Sequence, residues 1–217
     1  DNNTGLGVDV FAALTSGDGN TAVGGIALDA ITTSSDNTAV GHQSLTNATS
    51  GVGNTALGKG TMTGVVTGSN NVAVGRYALS ANTSASNNVA VGINALVANT
   101  TGAGNTAVGA ETLAANTEAS NNTGVGLQAL DAATTGGANT AVGKDALGDL
   151  TTGSENTAVG WTAAGDLTTA RFCTAVGRQA LRLNTTTENL TAVGYTAMRS
   201  TTGASNTAVG NAALYTN

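Results

Sequence analysis

A pentapeptide of the form Asn-Thr-Ala-Val-Gly returns along this chain at a fixed interval. Its glycine marks the interval, at Gly7, Gly24, Gly41, Gly58, Gly75, Gly92, Gly109, Gly126, Gly143, Gly160, Gly177, Gly194 and Gly210. Every step between these thirteen copies is seventeen residues, except the last, which is sixteen. A strict period of that length calls for one structural unit per period, each stacked on the next, and leaves little room for a globule built around one pocket. The repeat fills residues 1–217, so the chain reads as a single repetitive domain. It starts at Asp1, shortly before a repeat, and stops at Asn217, inside one, which reads as a segment of a longer fibre.

Numbered from its Asn, the repeat is N-T-A-V-G-x-x-A-L-x-x-x-T-T-G-x-x. Positions two to four alternate as a short strand does, with two and four on one face and three on the other. Position four is Val or Leu in every copy, and position two is Thr in eleven and Val in two, Val72 and Val89. Thr and Val share a β-branched shape, so the exchange at position two suits a half-buried strand. Position three is Ala, or Gly at Gly5 and Gly124, which implies another backbone packed closely against it. The glycine at position five never varies, as expected of a corner with positive φ or a very close backbone approach. Positions eight and nine, mostly Ala-Leu as in Ala146-Leu147, read as a second short apolar strand, and the polar stretch after them reads as a turn.

No apolar stripe holds a 3.6-residue period, and β-branched residues and glycines crowd every copy, so a helical reading fails. The fold class predicted is all-β: a parallel β-solenoid, or β-roll, of about thirteen coils of seventeen residues. The Asn at position one supports it, because identical amides about 4.8 Å apart can form a hydrogen-bonded ladder. The ladder residues are Asn20, Asn37, Asn54, Asn71, Asn88, Asn105, Asn122, Asn139 and Asn156, with Asn3 and Asn206 towards the ends. Cys173 and Leu190 replace Asn on adjacent rungs, which places the column in a sheltered environment. Each coil offers few apolar side chains, nearly all small. Association of several rolls side by side, burying position three, would supply the missing core.

Leu, Ile, Val and Phe make up only about a fifth of the residues, close to the level at which chains become disordered. Charged residues are only 9% and the net charge is −6, however, and the apolar residues are placed periodically, which favours order. The acidic balance and the lack of a basic run argue against nucleic acid, and no apolar run is long enough to span a membrane. His42 and Cys173 are each the single residue of their kind and lie more than one hundred residues apart, so no nucleophile–base pair forms within one chain. No ligand spacing suits a metal and no motif suits a cofactor, so the chain reads as non-catalytic, with neither metal nor cofactor. Asn-x-Ser/Thr sequons at Asn2, Asn47, Asn82, Asn99, Asn121, Asn184 and Asn189 are close to the number this composition yields by chance.

The pentapeptide, for example Asn105-Thr106-Ala107-Val108-Gly109, resembles the Ser-Val-Ala-Ile-Gly repeats in the heads of trimeric autotransporter adhesins. The longer unit, as in residues 139 to 155, resembles repeats of phage tail fibres and related bacterial surface proteins. The resemblance extends over the whole chain, although adhesin heads use shorter coils. It implies a left-handed roll, a homotrimer and an extracellular location on a cell surface or a virion. Its implied partners are copies of the chain itself and host-surface glycans or proteins.

Position six is the most variable and carries His42, Lys59, Arg76, Lys144, Trp161, Arg178 and Tyr195. From Lys144 to Tyr195 a cation and an aromatic alternate at one-rung spacing, within reach of cation–π contact. Two readings stand for Lys144, Trp161, Arg178 and Tyr195: a solvated edge covering the glycine corner, or a stripe that contacts glycans. For the whole chain the first reading is a structural and adhesive segment of an extracellular fibre. The alternatives are a filament subunit that assembles end to end and an ice-binding solenoid with a Thr column as its face.

Overall fold

The computed structural model describes residues 2–64 and 66–216; Asp1, Val65 and Asn217 lie outside the described residues. Positions two to four of each repeat form one three-residue strand, from β1 (Thr4–Leu6) and β2 (Thr21–Val23) through β7 (Thr106–Val108) and β8 (Thr123–Val125) to β12 (Thr191–Val193) and β13 (Thr207–Val209). The thirteen strands make one parallel sheet in chain order. Register follows the repeat, so Thr106 lies beside Thr123, Ala107 beside Gly124 and Val108 beside Val125. The all-β solenoid expected from the period is the fold, and no helix occurs among the described residues.

Only one strand forms per coil, where the pattern predicted two. The Ala-Leu segment turns instead, because positions seven and nine adopt left-handed backbone: Glu111 and Leu113 have φ of 57° and 52°, and Leu130 has 55°. Rung-to-rung hydrogen bonds nevertheless continue round the coil. The Leu113 N–H donates to Ala129 O at 3.0 Å, and Gly109 N–H donates back to Val91 O at 2.8 Å. Leucine in this backbone region costs on the order of 1 kcal/mol. Its side chain is fully buried in every coil from Leu79 to Leu147, and that burial offsets the strain.

The alternation of the strand resolves in one direction. Position three points into the coil: Ala107, Ala141 and Ala158 are fully buried among the leucines of position nine. The close neighbour that keeps this position small is therefore the opposite wall of the same roll, not a second roll. Added at Gly124, a Cβ would lie 2.6 Å from the Thr112 side chain, which projects from position eight of the preceding rung. Each coil closes its own narrow core, and Thr and Val at positions two and four face outward.

The residue before each Asn, position seventeen, also sits in the left-handed region. Glycine, asparagine or aspartate fill it in eight rungs, as at Gly104, Asn121 and Asp36, but Ala138 holds it at φ 58° with its side chain exposed. Ala138→Gly is expected to stabilise the fold by about 1 kcal/mol, since it relieves strain and removes no packing. Urea denaturation measures this; a loss of stability would contradict the assigned backbone.

Candidate interaction surfaces

Inside the coil, the Asn column is a continuous hydrogen-bonded spine. The Oδ1 of each Asn accepts the backbone N–H of the Asn one rung on, from Asn20 N–H on Asn3 at 2.8 Å to Asn156 N–H on Asn139 at 3.0 Å. The Nδ2 donates to a carbonyl on the next rung's turn, as Asn105 does to Ala119 O at 2.8 Å and Asn122 to Gly136 O at 2.9 Å. From Asn20 to Asn139 these side chains are fully buried. Cys173 N–H still donates to Asn156 Oδ1 at 2.9 Å, and its buried thiol takes over the amide's link to the next rung, lying 3.4 Å from Thr187 O. Burial pushes that thiol up from its ordinary range. These Asn are scaffold, out of reach of any partner.

On the outside, positions two and four form a strip along the sheet. Val108, Val125, Val142, Val159 and Val176 are each more than a third exposed, and the strip contains no charged residue. None of the position-two threonines uses its hydroxyl in a hydrogen bond among the described residues. By contrast, position-thirteen hydroxyls are committed internally: Thr100 Oγ1 donates to Thr117 O at 3.0 Å and Thr151 Oγ1 to Thr168 O at 3.1 Å. An outward Thr column therefore exists at position two, beside an exposed Val rather than a buried one.

Round the glycine corner lies position six. The Arg178 Cζ sits 4.2 Å from the centre of the Trp161 ring and 5.7 Å from that of Tyr195, so the guanidinium lies between two aromatic rings. Lys144 does not extend the stack. Its Nζ pairs with Asp145 Oδ2 at 2.8 Å, because the neighbouring carboxylate offers a stronger partner than a ring a rung away. Arg178 makes no ion pair among the described residues, whereas Arg171 faces Glu155 and Arg182 faces Asp166. His42 is on this outer column, eight rungs from buried Cys173, so the structure does not bring them together.

A further hollow of about 260 Å³ opens where Gly148 and Gly165 leave position ten without side chains on adjacent rungs. Asp131, Asp145, Asp149, Asp166 and Arg182 line it. Desolvation holds the Asp131 and Asp166 carboxyls above their ordinary range; Asp145 and Asp149 add repulsion at Asp131, and Arg182 opposes the shift at Asp166. The sequence pattern gave no sign of this hollow, because it depends on two coincident glycines at a variable position. No group of three or more His, Cys, Asp or Glu side chains among the described residues is arranged to hold a metal ion.

The sequons divide by burial. Asn82, Asn99 and Asn184 are interior, where no glycan fits, while Asn2, Asn47, Asn121 and Asn189 are exposed. Among the described residues no helix is long and apolar enough to cross a membrane. Comparison with family models, curated proteins and solved structures finds no match to the chain.

Proposed function

We propose that this chain is a structural and adhesive segment of an extracellular fibre, of the kind borne by a bacterial surface or a phage tail, and that it is not a catalyst. The observation that carries this reading is the unbroken rung-to-rung ladder with its buried Asn spine. It makes a rod roughly 60 Å long at about 4.8 Å per rung. Such a rod holds a binding tip away from a surface, and a continuous ladder of buried hydrogen bonds leaves proteases few openings. Copies of the chain associate through the outward Thr/Val strip. That strip is roughly 60 Å by 10 Å and carries no charge. A second copy has the same rung spacing, so side chains can interlock along the whole length.

Light scattering on a sizing column tests this. The expected mass is a multiple of 20.9 kDa, with threefold for the homotrimer implied by the adhesin resemblance. The double variant Val108→Lys/Val142→Lys should return the chain to a single copy with unchanged circular dichroism, because both side chains are on the outside. A wild-type chain that remains a single copy at high concentration would sink the self-association reading.

An ice-binding solenoid is the second reading, and one observation favours it: the position-two hydroxyls are outward and unengaged. Val72 and Val89 interrupt that column. Thermal hysteresis, abolished by Thr123→Lys, would move this reading ahead of the first. Stacking of rods end to end into a filament is a variant of the fibre reading and would give open-ended large species on the same column.

A further inference from the structure

The position-six stack holds a cation whose ordinary partner is missing. Arg178 is one of five arginines. Arg171 and Arg182 each have a carboxylate within 4.0 Å, and Arg199 donates to the Tyr215 hydroxyl. Arg178 and Arg76 have neither, although both are exposed on a chain whose net charge is −6; Arg76 lies over Tyr77 alone, and among the described residues Arg178 is the arginine within reach of two rings. The position of Arg178 is fixed instead by Trp161 and Tyr195 on successive rungs.

The guanidinium carbon lies 4.2 Å and 5.7 Å from the two ring centres, and no hydrogen bond or ion pair among the described residues engages the group. Its five N–H donors lie in its plane and remain open, in the fork geometry that matches a carboxylate. The rings themselves are 44% and 49% exposed, so apolar surface remains beside those donors. An inorganic anion would use the fork and leave the rings wet. A neutral sugar would use the rings and leave the fork empty. A sugar acid presents both a carboxylate and a C–H face on one compact ring.

We propose that Trp161, Arg178 and Tyr195 form a binding site for a carboxylate-bearing saccharide, with Arg178 receiving the carboxylate and the rings receiving the sugar face. Lys144, paired with Asp145, is not part of the site. This rests on the adhesive half of the fibre reading and names the chemistry of its ligand. The single site is weak, and association of copies along a fibre multiplies it.

Trp161 is the single tryptophan, so its fluorescence reports on this site alone. The probes are a tetrasaccharide of glucuronic acid, its carboxyl-reduced neutral counterpart, inorganic sulfate and a short polyglutamate. The acidic tetrasaccharide should shift Trp161 emission saturably, with the neutral form at least tenfold weaker and sulfate and polyglutamate weaker still. Arg178→Lys should lose at least tenfold in affinity, because an ammonium cannot offer the flat fork. Tyr195→Ala should lose severalfold. Both side chains are exposed, so circular dichroism should not change.

Equal binding of the neutral sugar would overturn the carboxylate assignment. Equal binding of sulfate or polyglutamate would overturn the saccharide assignment. No response to any probe would overturn the site. The last result would leave the fibre reading standing or falling on the light-scattering mass, which Arg178→Lys should not alter.

Discussion

Gly109→Val should destabilise the rod by about 3 kcal/mol or more. Two independent effects act at this corner. The backbone lies at φ +138°, a region that is nearly glycine-only and costs other residues about 1–3 kcal/mol. A Cβ there would also lie 2.4 Å from Gly126 O and 2.6 Å from its carbonyl carbon. These backbone atoms cannot withdraw, because Gly126 N–H donates to Val108 O at 2.8 Å within the same ladder. The substitution forces two rungs apart, and a solenoid broken at one interface loses the coupling between its two parts. Urea denaturation followed by circular dichroism should show an earlier, broader transition. The control is Ala110→Val, one residue on and outside the corner, which should stay within about 0.5 kcal/mol of the parent. A loss below about 1 kcal/mol for Gly109→Val would mean the corner opens more easily than this geometry allows.

Asn105→Ala should cost about 2 kcal/mol by a different route. The side chain accepts Asn122 N–H at 2.9 Å and donates to Ala119 O at 2.8 Å, and all of this is buried. Truncation leaves the buried Asn122 N–H without a partner, at about 1–3 kcal/mol, whereas Ala119 O keeps the Asn116 Nδ2 donor at 3.1 Å. Asn105→Asp sharpens the test. Its carboxylate could still accept from Asn122 but would face the Ala119 carbonyl, so its folded pKa is raised above the unfolded value near 4. Stability should then be greatest in acid and fall as pH rises through and beyond about 4. Thermal melts from pH 3 to pH 7 measure the trend. A variant whose stability rises with pH over that range would contradict the assigned role of Nδ2 as donor.

The position of every strand was readable because the period supplied it: residues repeating at seventeen must occupy equivalent places, and a short alternation ending in an invariant glycine has few other forms. The Asn spine was readable for the same reason. The direction of the strand was not. Val is more apolar than Ala, so a hydrophobicity argument places Val inside, yet Val108 is exposed and Ala107 is buried. The left-handed leucines were equally hidden, since nothing local favours Leu113 at φ 52°. Of the position-six residues, one-rung spacing made the neighbours plain. Nothing in the spacing said that Lys144 would turn to Asp145 while Arg178 settled over Trp161.

By itself, then, the sequence determined the rung: its length, its register with the next, its corner and its buried amide, all consequences of translational repetition. The tertiary structure alone decided which side of the rung is inside. The physical reason is volume rather than hydrophobicity. A coil of seventeen residues closes on a cross-section that the position-nine leucine nearly fills, leaving space for a methyl group opposite. Alanine fits that space and valine does not, so the larger side chain and the threonine beside it form the outer face.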